Sequence, residues 1–121
     1  MKRKLTSHRV NGLNEELEVR ALDDPGNGGA CHEYEIIVCG GMGAVFRVRF
    51  QNGPILEAGI NGISNEALLA IVEDRLIGFQ SGQFACRENA VALTKLQEAM
   101  MWLQKRTRDR IARGAEGTST K

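Results

Sequence analysis

The sequence predicts an α+β fold: an N-terminal antiparallel sheet of three to four strands, then an antiparallel helical hairpin with a long second helix. Three observations carry this expectation. Apolar residues alternate with period two between Leu17 and Ile60, they recur at three and four residues after Ser64, and only the short run Ser81-Gly82-Gln83-Phe84 divides the helical part. With 121 residues and 13.3 kDa, the chain fits one domain over 1–121, read as a β-rich half at 16–60, a hairpin at 64–113 and a tail at 114–121.

In the first strand, Leu17, Val19 and Ala21 alternate with Glu16, Glu18 and Arg20, which buries one face and wets the other. Asp23-Asp24-Pro25-Gly26-Asn27-Gly28-Gly29 follows as a mobile turn, rich in residues that break a ladder. The second strand runs from Tyr34 to Val38 and ends at the turn Gly40-Gly41-Met42-Gly43. The third sets Phe46, Val48 and Phe50 against Val45, Arg47, Arg49 and Gln51, so Phe46 and Phe50 are expected in the core. Asn52-Gly53-Pro54 then turns the chain into a short fourth strand, Ile55 to Ile60.

The first helix is expected from Ser64, as N-cap, to Gln80, with Glu66 in its first turn. Its stripe of Leu69, Val72, Leu76 and Phe79 is widened by Leu68, Ile71 and Ile77, which suits a helix covered on more than one side. The second helix is expected from Arg87 to Arg113, with Ala92, Leu93, Leu96, Ala99, Met100 and Leu103 as its stripe, Gly114 as its stop and a frayed tail from Gly117 to Lys121. At 1.5 Å per residue the helices reach roughly 25 Å and 40 Å, so the C-terminal end of the second overshoots the first. Trp102 and Met101 lie off the stripe, where exposed apolar bulk favours subunit contact.

Sixteen Lys+Arg against 15 Asp+Glu give a formal net charge of +1, so no whole-molecule field advertises a long nucleic-acid partner, and any anion site is local. Cys31, Cys39 and Cys86 form no CxxC pair, and Met1-Lys2-Arg3-Lys4 leads into no apolar run of secretory length, which reads as a reducing cytoplasm. Cys31, His32 and Cys39 approximate a zinc site poorly, and no cofactor motif is present. No local signature of a nucleophile with its base, a metal cluster or an unlike carboxylate pair occurs; a dyad of Cys86 with either histidine would need a tertiary meeting that spacing does not supply. Gly40-Gly41-Met42-Gly43 lacks phosphate-loop spacing and reads as a turn.

Two places can carry ligand chemistry, and each has a bland counterpart. Arg106, Arg110 and Arg113 share one helix face and can cradle an anion, or they complement the carbonyl end of the helix dipole. Around the helix junction, Phe79, Phe84, Arg87 and Asn89 offer an aromatic face, a cation and an amide to a nucleobase, or the aromatics close the hairpin and Asn89 caps the second helix. Arg47 and Arg49 are equally open between solvated charge and contact.

The stretch from Gln51-Asn52-Gly53-Pro54 through Gly59-Ile60-Asn61-Gly62, then Asp74-Arg75-Leu76, Gly78-Phe79-Gln80, Phe84-Ala85-Cys86 and Glu88-Asn89, closing on Arg106-Thr107-Arg108-Asp109-Arg110 and Arg113 to Thr118, resembles the phage Thoeris anti-defence sponge family. The helical half also resembles the phage anti-CBASS sponges of cyclic oligonucleotides. The resemblance implies a phage protein without catalytic activity, acting in the host cytoplasm. It would sequester the cyclic ADP-ribose isomer, such as glycocyclic ADP-ribose, that a host TIR-domain enzyme makes. It further implies a homo-oligomer, dimer or hexamer, and in some members separate binding of cyclic di- and trinucleotides. Carried onto matching positions, Phe79 would stack on the ADP-ribose ligand, Asn89 would hydrogen-bond it and Arg87 would reach a phosphate. Arg106, Thr107 and Arg110 would belong to the cyclic-oligonucleotide site. The competing reading is a structural or protein-binding oligomeric module without a nucleotide ligand.

Overall fold

The computed structural model describes residues 2–41 and 43–119, and these divide into two compact units, 1–63 and 64–121. In the first unit, β1 (Arg3–Leu5), β2 (Leu17–Ala21), β3 (Glu33–Val38) and β4 (Val45–Arg49) form an antiparallel meander in the order β1-β2-β3-β4. A single turn, α1 (Gly12–Glu15), joins β1 to β2 and is capped by the Asn11 side chain, which accepts from the Asn14 N–H at 3.1 Å. Register places Leu5, Val19, Ile36 and Phe46 in one cross-strand row, and Lys4, Arg20, Glu35 and Arg47 in the adjacent row on the other face. That second face is held by ion pairs: Arg20 reaches Glu18 at 2.6 Å and Glu35 at 3.7 Å, while Arg49 reaches Glu33 at 3.1 Å.

Four expectations need correction. The fourth strand of the sheet is β1 at the N-terminus; Ile55 to Ala58 instead forms a short helix, α2, with Ala58 N–H on the Pro54 carbonyl and Gly59 N–H on that of Ile55. Ile55 and Leu56 are adjacent rather than alternating, and a run that opens on proline and contains Leu-Glu-Ala favours a helical turn. Phe46 lies on the apolar face but is 57% exposed, because among the described residues little of this sheet face is covered, whereas Phe50 is half-buried edge-on to Tyr34 at 5.7 Å. The Asp23–Gly29 turn is tied down: the Asp23 carboxylate accepts the N–H groups of His32 at 2.9 Å and Glu33 at 3.1 Å. The tail folds back as far as Thr118, as detailed below; Met42, Thr120 and Lys121 lie outside the described residues.

After β4 the chain makes a parallel bridge between Phe50 and Ile63, closed by Gln51 N–H to the Ile63 carbonyl at 2.8 Å and Ile63 N–H to that of Arg49 at 2.9 Å. Gly62 is required there, since a Cβ would overlap the Phe50 carbonyl. An amide clamp closes the intervening loop: Asn52 N–H donates to Asn61 Oδ1 at 2.8 Å, and Asn61 N–H donates to Gln51 Oε1 at 2.9 Å.

The second unit is a hairpin of α3 (Asn65–Gln80) packed on α4 (Arg87–Ala112). Ser64 caps α3 as expected, its hydroxyl accepting the Ala67 N–H at 3.1 Å. The 16 residues of α3 against 26 of α4 leave the end of α4 unmatched, as the sequence predicts. Burial is sparse throughout. Ala21, Cys31 and Ala115 are the buried apolar residues among those described, and the accessible surface is 8662 Å². Two independent globules of half this mass would expose about 7,800 Å² in total, so the chain buries less surface than two such globules would.

Candidate functional site

The junction of the hairpin is built from the last turn of α3 and the first of α4. Arg75 and Phe79 are one turn apart on α3, and the guanidinium carbon of Arg75 sits 5.4 Å from the Phe79 ring centroid. Phe84, in the connecting turn, meets Phe79 edge to face at 6.3 Å and 86°. The Phe79 ring is therefore held between a cation and a second ring while 38% of the residue stays exposed. Polar closure of the junction is local: Ser81 Oγ donates to the Gly78 carbonyl at 2.7 Å, and the Gln80 side-chain carbonyl accepts the Cys86 N–H at 3.0 Å.

The N-cap of α4 is Cys86, whose Sγ accepts the Asn89 N–H at 3.4 Å. Asn89 is thus the capped residue rather than the cap, and its side-chain amide makes no hydrogen bond among the described residues. Arg87 is exposed and enters no ion pair among them. An aromatic face, an uncommitted amide and a solvent-facing guanidinium therefore share one end of the hairpin. Those groups suit a planar base, a hydroxyl or carbonyl edge and a phosphate.

Arg106, Thr107 and Arg110 lie toward the other end of α4, about 26 Å along its axis from Asn89 to Arg106 at 1.5 Å per residue. Their surroundings differ. Arg106 is exposed, Thr107 Oγ1 donates back to the Leu103 carbonyl at 3.3 Å, and Arg110 is only 6% exposed. The Arg110 guanidinium donates to the carbonyls of Ala115 at 2.8 Å and Thr118 at 2.9 Å, and its Nε lies 3.6 Å from Glu116 Oε1.

Sequence reasoning passed over Arg75, although its spacing four residues before Phe79 is a signal for a helix-surface contact. It also passed over Cys86 as a cap, since a thiol is a rare cap, and over a cavity of about 410 Å³ in the first unit. That cavity is lined by Asp23, His32, Glu33, Arg49, Phe50, Asn52 and Asn61, which converge only through strand pairing and the 52–61 loop. Most of its polar groups are spent on one another: Glu33 on Arg49, Asn52 on Asn27 at 2.8 Å, and Asp23 on backbone N–H groups. The backbone N–H of His32, before that of Glu33, holds the Asp23 carboxyl below its ordinary pKa.

A family profile described as the Acb2/Tad1 hairpin domain matches residues 42–108. The chain belongs to the Acb2/Tad1 hairpin family. Thoeris anti-defense 1 of Bacillus phage SBSphiJ7 is 56% identical over 79 residues, which make up 65% of this chain and 56% of that protein. The chain thus spans little more than half the length of that relative. The Acb2/Tad1 match includes β4, the 52–61 loop, all of α3 and most of α4; Phe79, Arg87, Asn89, Arg106 and Thr107 fall inside it, and Arg110 falls just beyond.

Proposed function

We propose that this chain is a phage anti-defence protein that binds a cyclic ADP-ribose-type signal molecule, such as glycocyclic ADP-ribose, at the hairpin junction and holds it unchanged. The observation that carries this reading is the exposed Phe79 ring, braced by Arg75 and Phe84 and placed at the same end as the uncommitted Asn89 amide, within the Acb2/Tad1 span. Phe79 stacks on a base, Asn89 hydrogen-bonds the ligand and Arg87 pairs with a phosphate. The likeness to Thoeris anti-defense 1 supports the biological setting: sequestration in the host cytoplasm, withholding the signal from TIR-based Thoeris defence. Among the described residues no helix is long and apolar enough to cross a membrane.

Arg106, Thr107 and Arg110 form a second, separate site for cyclic di- or trinucleotides, and the protein acts as a homo-oligomer, dimer or hexamer. Oligomerisation is supported by the 8662 Å² of accessible surface and by the exposure of Trp102 and Met101. That same exposure favours one other reading, an oligomeric protein-binding module without a nucleotide ligand.

Calorimetry with the cyclic ADP-ribose isomers separates the two. Submicromolar binding of one isomer, lost in Phe79→Ala and Asn89→Ala, with intact ligand recovered after heat release, is the expected result. Ligand at 100 times its dissociation constant adds about 2.7 kcal/mol to the folded state, so a raised melting temperature accompanies it. Absence of heat and of any melting shift with every isomer leaves the protein-binding module standing, and conversion of ligand by substoichiometric protein overturns sequestration.

A further inference from the structure

The end of α4 closes on itself. Gly114 adopts φ +71°, its N–H bonds the Ile111 carbonyl at 3.0 Å, and the Ala115 N–H bonds the Arg110 carbonyl at 2.8 Å, the paired pattern of a Schellman stop. The chain then turns again, with the Thr118 N–H on the Ala115 carbonyl at 3.1 Å and the Thr118 hydroxyl on the same oxygen. This second turn aims the carbonyls of Ala115 and Thr118 at the Arg110 guanidinium and lays Glu116 beside its Nε, and Ala115 and Gly117 are buried in the process.

We propose that the segment Ala115–Thr118 is an autoinhibitory clasp that competes with phosphate for the Arg110 guanidinium, so that only Arg106 meets an anion until the clasp opens. The inference rests on the reading of this end as a cyclic-oligonucleotide site. A bidentate phosphate contact needs two adjacent N–H groups of the fork. In the closed clasp the Nη2 group is spent on two carbonyls and the Nε edge faces a carboxylate, so phosphate is opposed both by occupied donors and by like charge. Arg106, one turn earlier, is exposed with no such partner among the described residues. The strand of chain that would have to move is short and hinged on Gly114, so opening leaves the body of the helix intact.

The test combines arginine labelling with p-hydroxyphenylglyoxal, mapped by mass spectrometry, and binding of cyclic triadenylate as probe. In the full chain Arg106 is expected to label at least about tenfold faster than Arg110, the factor that loss of one charge-assisted hydrogen bond represents. Truncation after Gly114 brings Arg110 to the rate of Arg106, and Gly114→Val, which strains the positive-φ hinge without shortening the chain, moves it the same way. Truncation also tightens probe binding about tenfold, the same hydrogen-bond equivalent. Arg110→Ala removes that gain, so that truncated and full chains carrying it bind the probe alike.

Equal labelling of the two arginines in the full chain overturns the clasp, as does weaker probe binding after truncation, which would make the segment part of the site. A shielded Arg110 with no probe bound by any variant keeps the clasp and overturns the oligonucleotide reading instead.

Discussion

At the scale of single residues, Cys86 holds the hairpin's junction through a hydrogen bond accepted by sulfur. Its Sγ accepts the Asn89 N–H at 3.4 Å, and a thiol is a weaker acceptor than a hydroxyl. Cys86→Ala should cost about 1 kcal/mol in urea unfolding, the usual loss of an N-cap, while Cys86→Ser should equal or exceed the parent. Because Asn89 is the capped residue, the alanine variant should also weaken the ligand binding proposed for the junction, and the serine variant should not. An alanine variant as stable as the parent would show that the thiol does not act as a cap. Arg75 belongs to this scale as well: it shapes the face that Phe79 offers, by contact across one helical turn.

At the scale of elements, the hairpin was legible almost to the residue. Ser64, Gln80, Arg87 and Gly114 are read directly from cap chemistry and from a period of three and four, and both are local signals. The sheet was legible where alternation was long, at Leu17–Ala21 and Val45–Arg49, and not where it was short. β1 has three residues, two of them basic, and gains its strand state only from pairing with β2. Of the candidate site, the sequence supplied residue types, Phe79 and Asn89, whereas the bracing of Phe79 by Arg75 and the closure of Arg110 by the tail depend on side-chain geometry that spacing does not encode.

The turn between β2 and β3 makes an elemental prediction. The Asp23 carboxyl is held below its ordinary pKa by the His32 and Glu33 N–H groups, so the folded state binds fewer protons than the unfolded one. That stability is present above the ordinary aspartate range and is lost as pH falls through the folded pKa. Asp23→Asn should lower the melting temperature at neutral pH and flatten its fall between about pH 5 and 3. Glu18, lowered first by its hydrogen bond to Arg20 and then by Lys4, keeps part of the acid limb in that variant. An unchanged acid limb would show that the turn does not depend on the charge.

At the scale of the whole molecule, the surface has to be reconciled with stability. An accessible area of 8662 Å², with three small apolar residues buried, leaves the cost of ordering the chain poorly offset by burial within one copy. A second copy is the nearest source of apolar cover, and α4 presents Trp102, 59% exposed, beside Met101, 52% exposed. Both stay more than half exposed although α3 is long enough to reach their level of α4. Trp102→Glu places a charge at the centre of any contact made there, at a desolvation cost of several kcal/mol that an exposed site in a monomer would not feel. Sedimentation equilibrium should therefore give a multiple of 13.3 kDa for the parent and a smaller multiple for the variant, with a melting temperature that rises with protein concentration in the parent and less so in the variant. If both chains sediment at the same multiple, the assembly uses another surface, and the apolar row of Leu5, Val19, Ile36 and Phe46 becomes the next to probe. If the parent sediments at 13.3 kDa, the under-buried chain stands alone and the oligomeric reading of Trp102 falls.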